Sequence, residues 1–273
     1  MRYLYVMTPT NFQELLHTRG RELYRDMPWR DDTRPYYILV SELMLQQTQV
    51  NRVIPKFEAF IARFPDTASL AEAPLADVLI AWSGLGYNRR AKYLHGAAKQ
   101  LMMGHDGEMP NDYKVLQQLP GIGPATAGAI MVYAFNRPLV FIETNVRTVY
   151  FHSFFKPEEK VSDAQLVPLI ESTIDNSNPR NFYWALMDWG SWLKQNTITS
   201  RNSQSAHYKK QTRFSGSLRE MRGKILRLLS ENEMTLMDLR EGVWGDERFS
   251  PALDGLVKDG LVAQTNKLFY LTK

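Results

Sequence analysis

Apolar residues recur near every third or fourth position over most of the first 200 residues, a spacing that predicts helices rather than strands. Breaks that contain Pro, Gly or Asn separate the helical runs. The predicted runs cover residues 35–54, 56–63, 69–73, 75–83, 89–103, 112–118, 126–135, 162–176 and 181–193. Pro55 falls near the end of the first run or inside it. The first part of the chain is therefore expected to be all-α.

The pattern restarts after residue 218. The predicted elements are helices over 219–230, 235–242 and 251–259 and a hairpin over 261–272 that turns at Asn266-Lys267. Three helices and a hairpin are typical of a winged-helix domain, which in some proteins enters the DNA major groove and in others contacts only proteins. Asp254 and Asp259 on the third helix leave both roles open. The predicted domains are residues 1–212 and a small α+β domain of residues 217–273.

A polar segment, residues 194–217, joins these two parts and contains no acidic residue. Its cations include Lys194, Arg201, Lys209 and Lys210. Two interpretations stay open, a solvated linker and a loop that faces DNA. The formal net charge of the whole chain is +4, which mildly favours a polyanionic partner.

Cysteine is absent from the 273 residues. The sequence therefore excludes disulfides, a thiolate nucleophile and any zinc or iron–sulfur centre held by cysteine. The first residues have too short an apolar run for a signal peptide, and no run approaches the roughly 18 apolar residues of a membrane span. We expect an intracellular monomer, placed in the nucleoid-associated cytoplasm if the source is bacterial.

The segment from Leu119 to Ala127 predicts a tight turn between two helices. Gly121 and Gly123 reach left-handed backbone angles without steric cost, so the chain can reverse within a few residues. The turn then exposes backbone N–H groups beside a helix N-terminus, where the donors and the helix dipole both favour a phosphate. We therefore expect this hairpin to bind a nucleic-acid backbone.

Two glutamates are the candidate acids. Glu42 lies within a strongly apolar helical run, where it is either a functional acid or a side chain turned to water. Glu143 follows an apolar run and precedes a helix expected to start at Val146. Helix capping is its alternative role, but Thr144 and Asn145 are better suited to it. We therefore interpret Glu143 as a functional carboxylate.

Two carboxyl groups near a phosphate-binding turn fit cleavage of an N-glycosidic bond in DNA. One acid protonates the leaving base, and one carboxylate stabilises the oxocarbenium-like sugar. Such an enzyme rotates its target base out of the duplex. Tyr87, Gln46 and Gln47 are candidates to fill the gap, although each also fits an ordinary surface or interhelical position.

Five segments of the chain match one family. They are Met27-Pro28-Trp29-Arg30, residues 41–50 (SELMLQQTQV), residues 82–91 (WSGLGYNRRA), residues 119–129 and Ala185-Leu186-Met187-Asp188-Trp189-Gly190. On these segments the chain resembles the helix-hairpin-helix (HhH-GPD) DNA glycosylase superfamily, and within it the A/G-mismatch adenine glycosylases of the MutY type. The match is collinear over about residues 10–195, and the Gln-Gln-Thr segment is specific to that subfamily. The resemblance implies a fold of two lobes with the active-site cleft between them. One lobe is formed by about residues 35–135, and the other by the residues at both ends of the domain.

The resemblance also implies roles for individual residues. Glu42 falls on the general acid that protonates adenine, and Asn145 matches an Asn near the nucleophilic water. Trp29, Arg30 and Asp188 match positions that line the adenine pocket. Gln47 and Tyr87 match residues that wedge into the duplex and contact the opposite 8-oxoguanine. Leu119, Gly121 and Gly123 belong to the hairpin that holds a DNA phosphate. Relatives often hold a monovalent cation on the backbone of this hairpin, and no side chain is expected to bind a metal.

The second carboxylate departs from the family pattern. The family motif Asp-Gly-Asn is Glu143-Thr144-Asn145 here. A Glu keeps the charge but moves the carboxylate by roughly a bond length, and such a misplacement can cost about a hundredfold in rate. Thr144 adds a Cβ where the motif has Gly. Glycosylase chemistry is still expected, with altered activity on adenine opposite 8-oxoguanine.

Three further departures concern other parts of the chain. The positions of the four cluster cysteines fall on Lys194, Arg201, Gln204 and Lys210. No [4Fe–4S] cluster can form there, and the cationic residues are expected to bind DNA phosphate by charge alone. A winged-helix-like module follows in place of the usual C-terminal domain that reads 8-oxoguanine. Ala125 stands where strand-cleaving relatives carry a Lys, so no Schiff-base lyase step is expected.

The leading hypothesis is a cofactor-free monofunctional DNA glycosylase that removes adenine mispaired with 8-oxoguanine or guanine from double-stranded DNA. One alternative is a glycosylase for a different damaged or mismatched base. A second is a catalytically inactive DNA-binding protein whose winged helix sets the target. In each case the winged helix binds either DNA or a protein partner.

Overall fold

A computed structural model describes residues 7–157, 159–197, 201–206 and 213–273. The helices are α1 (Pro9–Glu22), α2 (Pro28–Asp31), α3 (Pro35–Leu45), α4 (Val50–Arg63), α5 (Thr67–Glu72), α6 (Leu75–Ala81), α7 (Arg89–His105), α8 (Tyr113–Leu116), α9 (Pro124–Tyr133), α10 (Thr144–Phe154), α11 (Asp163–Thr173), α12 (Pro179–Asn196), α13 (Leu218–Leu229), α14 (Leu236–Gly242) and α15 (Phe249–Lys258). The strands are β1 (Met234–Thr235), β2 (Val262–Thr265) and β3 (Leu268–Leu271), and Arg201–Gln204 form one turn of 3-10 helix. The expected helical first part and small α+β C-terminal module are confirmed.

The chain divides into two compact units. The first contains Met1–Pro35, Asn111–Gln117 and Ile122–Lys210, and the second contains Tyr36–Pro110, Gln118–Gly121 and Gln211–Lys273. Helix α9 thus groups with α1, α2, α8 and α10 to α12, and the C-terminal module groups with α3 to α7. The domain bounds expected from the sequence, 1–212 and 217–273, stay a prediction.

The core of the first unit forms where α1 and α10 pack against α12. The ring of Phe12 lies 5.0 Å from the ring of Tyr150 and 5.0 Å from that of Phe154. Gly20 allows α1 to approach α12 closely, because a Cβ at this position would lie 2.7 Å from the Cβ of Ala185. Burial of these large aromatic side chains stabilises the packing of the three helices.

The core of the second unit forms around Phe60 and helix α7. The ring of Phe60 meets the rings of Phe64 and Trp82 edge-on, at 5.0 Å and 6.0 Å. His95 is buried on α7, and its Nε2 lies 2.9 Å from the carbonyl oxygen of Ala73. Because this partner is a backbone carbonyl, the imidazole donates there in the structure.

The C-terminal module is a three-stranded antiparallel sheet with helices α13, α14 and α15. The strand order is β1-β3-β2, and Val262 pairs with Leu271. Asn266 and Lys267 have φ values of 50° and 70°, and two left-handed residues between paired strands match the twist of a hairpin. The predicted hairpin is therefore confirmed, whereas the two-residue strand β1 was too short to predict.

The predicted single helix over residues 35–54 is wrong. Helix α3 ends at Leu45, α4 begins at Val50, and Gln47 between them has a left-handed φ of 56°. The break is stabilised from outside this segment, since Arg90 of α7 hydrogen-bonds the carbonyl groups at the end of α3. Pro55 lies inside α4 and has no N–H to donate to the carbonyl of Asn51, an exposed residue one turn earlier.

None of the helices in the described ranges combines the length and the apolar character needed to cross a membrane.

Candidate active site

Arg30 and Asp188 form a buried ion pair in the first unit. Nη1 of Arg30 lies 2.7 Å from Oδ2 of Asp188, and Nη2 lies 2.9 Å from Oδ1. Both side chains are 1% exposed. Two parallel N–H···O bonds fix the planar groups against each other. Two of the three residues expected in the base pocket therefore orient one another.

A second guanidinium completes this cluster. Nε of Arg25 donates to Oδ1 of Asp188 at 2.6 Å, and Nη2 lies 3.3 Å from the carbonyl oxygen of Met187. Sequence reasoning missed Arg25, because it lies outside the matched segments and carries no motif of its own. The cluster of two cations and one anion keeps a net positive charge beside α12.

Two aromatic rings hold the guanidinium of Arg30 from its other sides. Its Cζ lies 5.1 Å from the centroid of Tyr24 and 5.2 Å from that of Trp184. The neighbouring Trp29, the third expected pocket residue, is buried. A guanidinium desolvated between aromatic faces is held in one orientation. The Arg30 guanidinium is therefore fixed against the middle of α12.

Glu143 is the N-cap of α10. Its Oε1 accepts hydrogen bonds from the backbone N–H groups of Asn145, at 2.6 Å, and Val146, at 3.2 Å. The expectation that Thr144 or Asn145 would cap this helix is wrong, because the Glu143 side chain folds back over the first turn. A carboxylate at a helix N-terminus also gains from the helix dipole. Since both bonds use Oε1, the cap occupies only one carboxylate oxygen.

Asn145 follows this cap and is oriented by Lys194. Nζ of Lys194 donates to Oδ1 of Asn145 at 2.6 Å, while Nδ2 of Asn145 lies 3.6 Å from Sδ of Met187. An ammonium group only donates, so this bond fixes which way round the amide sits. The amine of Lys194, expected to bind DNA phosphate, points in this structure into the first unit.

Lys194 also responds to the charges around it. Burial lowers the pKa of its amine, the carboxylate of Glu143 opposes that shift, and Arg25 adds to it. The protonation of Lys194 is therefore coupled to the charges of Glu143 and Arg25.

Gly190 allows α12 to come this close to α10. A Cβ at this position would lie 2.7 Å from the Cβ of Asn145 and 2.7 Å from its carbonyl oxygen. Real Cβ atoms do not reach such distances, so the contact requires glycine. The motif Asp188-Trp189-Gly190 therefore supplies both the buried carboxylate and the close approach.

Arg90 joins two turns of the second unit. Its Nη1 donates to the carbonyl oxygens of Leu43 at 2.6 Å and Gln46 at 2.7 Å, and its Nη2 donates to that of Gly86 at 3.0 Å. Burial lowers the pKa of Arg90 to about 10. The end of α3, which carries the half-buried Glu42, is thereby tied to the turn before α7.

Gln47 and Tyr87 stand on these two turns in strained backbone conformations. Their φ values are 56° and 48°, in the left-handed region that favours glycine. Together with Gln46 they line a cavity of about 450 Å³ in the second unit. A strained backbone conformation persists only where the surrounding structure holds it in place, and such residues are most frequent at functional sites. The structure thus brings together the three residues expected to fill a duplex gap.

The predicted phosphate hairpin needs only one of its two glycines in a left-handed conformation. Gly121 has a φ of 78°, and a Cβ there would lie 2.7 Å from the Cβ of Tyr93. Gly123 has a φ of −86° and is the N-cap of α9, so the expected left-handed angle is wrong. The following Pro124 restricts this residue to extended backbone. Leu119 is buried.

Comparisons with known proteins agree on one family. The model of the HhH-GPD superfamily base excision DNA repair protein matches residues 40–168. The adenine DNA glycosylase of Mycolicibacterium smegmatis is 34% identical over 265 residues, which cover 88% of this chain and 89% of the relative. The chain belongs to the adenine DNA glycosylase family. The resemblance stated from the sequence motifs is confirmed.

Two solved structures share the fold of this family member. A thermostable thymine-DNA glycosylase matches with a TM-score of 0.61 at 22% identity. The match covers 71% of this chain and 91% of that chain. A non-covalent endonuclease III–DNA complex has a TM-score of 0.60 at 17% identity, with 70% of this chain and 90% of that chain covered. The expected helix-hairpin-helix glycosylase fold is confirmed.

The iron–sulfur cluster that the family resemblance implies does not fit the residues at its positions. Lys194 offers an ammonium that is bonded to Asn145, and Gln204 offers an amide whose Nε2 donates to the Lys156 carbonyl at 2.6 Å. Neither supplies a thiolate. Lys209, Lys210 and the side chain of Arg201 lie outside the described residues. Within the described ranges, no three His, Asp or Glu residues form a group that could hold a metal ion.

Gln204 instead connects its own segment to the loop after α10 through hydrogen bonds. Besides Lys156, its amide contacts the carbonyl of Glu159 at 3.2 Å, and the backbone of Val161 pairs with that of Ser205. From the sequence, Gln204 was identified only as the residue at the position of a cluster cysteine. Buried amides that bond backbone carbonyls hold a loop without a metal.

Proposed function

We propose that this protein is a DNA N-glycosylase that removes adenine mispaired with guanine or 8-oxoguanine, by hydrolysis and without cutting the strand. The observation that carries the proposal is the arrangement at the N-terminus of α10, where Glu143 and Asn145 meet Lys194 within a chain of the adenine DNA glycosylase family. A carboxylate and an oriented amide at one helix end suit a sugar that develops positive charge. Double-stranded DNA is the substrate.

In the proposed reaction Glu42 donates a proton to the leaving base as the bond between that base and the sugar C1′ breaks. The carboxylate of Glu143 stabilises the cationic sugar, and Asn145 orients the water that attacks C1′. The oxygen of this water bonds to C1′ and its second proton passes to the solvent, which leaves a hydroxyl on C1′ and restores the proton count after the transfer from Glu42. The cap of α10 by Oε1 holds the Glu143 carboxylate in one place, which supports this role.

The rest of the proposal concerns binding. The base lies in a pocket that includes Trp29, Arg30 and Asp188, and the backbone of residues 119–123 binds phosphate, with a monovalent cation as an added ligand. Gln46, Gln47 and Tyr87 enter the gap in the duplex. The protein acts as a monomer inside the cell and needs no cofactor.

The absence of a strand-cleaving step is supported by the residue before the hairpin Thr, which is Ala125 and has no amine. The amine of Lys194 donates a hydrogen bond to Oδ1 of Asn145, and this bond orients the Asn145 amide. Sodium borohydride reduces a Schiff base to a stable adduct, so we expect no covalent protein–DNA product when the protein acts on its substrate with borohydride present. A trapped adduct would overturn the monofunctional assignment.

A panel of labelled duplexes tests the function. The duplexes carry adenine opposite 8-oxoguanine, adenine opposite guanine, G·T, U·G and an alkylated base, and abasic sites are cleaved with alkali after incubation. We expect product from the two adenine mispairs and none from Glu42→Gln. Product from another duplex alone assigns a different base, and tight binding without any product assigns an inactive DNA-binding protein; both outcomes contradict the proposal.

A further inference from the structure

The segment that leads into Glu143 has no regular structure of its own. It runs from the end of α9 at Tyr133 to the start of α10 at Thr144, and its residues 136–143 belong to neither a helix nor a strand. The cap holds the Glu143 side chain on the α10 side. The position of the carboxylate therefore also depends on what holds the backbone before Glu143.

The hydroxyl of Tyr183 on α12 holds that backbone. It donates to the carbonyl oxygen of Leu139 at 3.1 Å and accepts from the N–H of Phe141 at 3.1 Å. Tyr183 is 0% exposed, and burial raises the pKa of its hydroxyl, which therefore keeps the proton that it donates. One hydroxyl thus satisfies two backbone groups just upstream of Glu143.

The ring of Tyr183 fixes the same place by stacking. Its centroid lies 4.2 Å from that of Phe141, and the two planes are 17° apart. On α9, Tyr133 meets the ring of Phe141 edge-on at 5.9 Å. The close approach of α9 requires Gly128, because a Cβ there would lie 2.6 Å from the Cβ of Phe141. Two helices therefore hold Phe141, and a single residue separates it from Glu143.

Helix α12 holds the chain on both sides of Glu143. Before Tyr183, the backbone N–H of Arg180 donates to Oδ1 of Asn136 at 3.0 Å, near the start of the irregular segment. Toward the other end of the same helix, Lys194 donates to Asn145. The irregular segment and the first turn of α10 are thus both bonded to α12.

We propose that Tyr183 is a positioning residue for the proposed reaction, because its hydroxyl and ring set the backbone from which the Glu143 carboxylate reaches the sugar. The inference rests on the proposed function, in which that carboxylate stabilises the cationic sugar. A Glu carboxylate lies about one bond length farther from the backbone than an Asp carboxylate, so its placement depends on where the backbone is held. Tyr183 itself is buried and acts through Leu139 and Phe141.

Single-turnover kinetics on the duplex with adenine opposite 8-oxoguanine test this role. Tyr183→Phe keeps the ring and removes the hydroxyl, so the backbone groups of Leu139 and Phe141 lose their common partner. We expect the rate at saturating protein to fall about tenfold, while the protein concentration at half-maximal rate stays unchanged. In the Glu143→Gln background the same change should have no further effect, because the charge that Tyr183 positions is already gone.

Tyr36→Phe is the matched control. Tyr36 is also a buried tyrosine whose hydroxyl donates to a backbone carbonyl, that of Phe64, at 2.8 Å in the second unit. Its variant should lose a similar amount of stability and keep the wild-type rate. A wild-type rate in Tyr183→Phe overturns the proposal, and so does an equal fall in rate with and without Glu143→Gln.

Amide hydrogen exchange tests the position of Glu143 without catalysis. The N–H groups of Asn145 and Val146 both donate to Oε1 of Glu143. We expect Tyr183→Phe to speed exchange at both amides about tenfold, and Tyr36→Phe to leave their exchange unchanged. If both amides keep their wild-type exchange rates in Tyr183→Phe, the proposal fails. Faster exchange in Tyr183→Phe together with a wild type that releases no adenine contradicts the proposed function and leaves the positioning of Glu143 intact.

Discussion

At the scale of single residues, Glu143 combines a structural and a chemical task. Its Oε1 caps α10 through two backbone N–H groups, and its negative charge is the one that the proposed reaction uses. The two tasks can be separated, because the cap needs an acceptor oxygen and the reaction needs a charge. Gln keeps the first and loses the second.

We therefore expect Glu143→Gln to lower the single-turnover rate of adenine release by about a hundredfold or more, with little change in the free energy of unfolding. Glu143→Ala should lower the rate similarly and also cost about 1 kcal/mol, because the cap is lost. Rates are measured on the mispair duplex and stability by urea unfolding. Asp66→Ala is the control, since Asp66 caps α5 by accepting from the Ser69 N–H: stability should fall without a change in rate. Equal rates for Glu143→Gln and wild type would contradict the chemical role.

Substitution of Lys194 distinguishes two roles, phosphate binding as expected from the sequence and orientation of Asn145 as seen in the structure. If Lys194 binds a DNA phosphate, its removal should reduce the slope of the log binding constant against log salt concentration by about one. The bond to Asn145 leads to the opposite expectation. Lys194→Met should lower the single-turnover rate about tenfold, because the Asn145 amide loses its orientation, and should leave both the affinity for DNA and its salt slope unchanged.

Lys160→Met is a suitable comparison for Lys194→Met, because Lys160 also donates to an oxygen of the first unit, the Ser203 carbonyl. It should keep the wild-type rate. Lys194→Arg should recover part of the lost rate, since a guanidinium can still donate to Asn145. A reduced salt slope with an unchanged rate would restore the phosphate-binding interpretation.

At the scale of elements, glycine decides how α10 and α12 meet. A Cβ at Gly190 would overlap backbone and Cβ atoms of Asn145, so one helix must shift in Gly190→Ala. We expect a loss of about 1–3 kcal/mol in unfolding free energy and a lower rate of base release. Thermal unfolding and single-turnover kinetics measure the two effects.

Gly104→Ala provides the contrast. Gly104 lies in α7, and a Cβ there would meet no atom within 4 Å. Alanine should therefore stabilise the protein by about 0.4–1 kcal/mol through lower unfolded-state entropy and higher helix propensity. If Gly190→Ala behaved like Gly104→Ala, the close approach of α12 to Asn145 would not matter.

The element scale also shows where local pattern stops being sufficient. The helical period predicted most helices within a few residues, because each buries one apolar face. It did not predict the break between α3 and α4, which Arg90 stabilises from 44 residues away at the Gln46 carbonyl. The helical period also does not predict α1 or α2. A long-range hydrogen bond leaves no periodic signal in the segment that receives it.

At the scale of the whole molecule, the motifs predicted the family but not the contacts of the C-terminal module. Asp259 of this module pairs with Arg89 of α7, and Arg219 donates to the hydroxyl of Tyr87. The sequence offers no sign of these partners, because charges at unrelated positions acquire meaning only when the chain is folded.

Stability of the whole molecule should depend on pH through His95. Burial, helped by the nearby Lys99, lowers the pKa of this imidazole, against the effect of its hydrogen bonds to backbone carbonyls. The unfolded chain binds a proton near the ordinary value of about 6.5, whereas the native state binds it only at lower pH. Between these two values the unfolded state holds more protons, so the free energy of unfolding rises with pH and falls on acidification.

We expect urea unfolding of the wild type to show this loss as the pH falls below about 6.5, and His95→Gln to remove that part of the dependence. The loss ends once the pH is below the lowered native pKa, because both states are then protonated. His105→Gln, at the exposed end of the same helix, should keep the wild-type profile. An unchanged slope in His95→Gln would show that another group causes the acid sensitivity, and that the buried imidazole does not link protonation to unfolding.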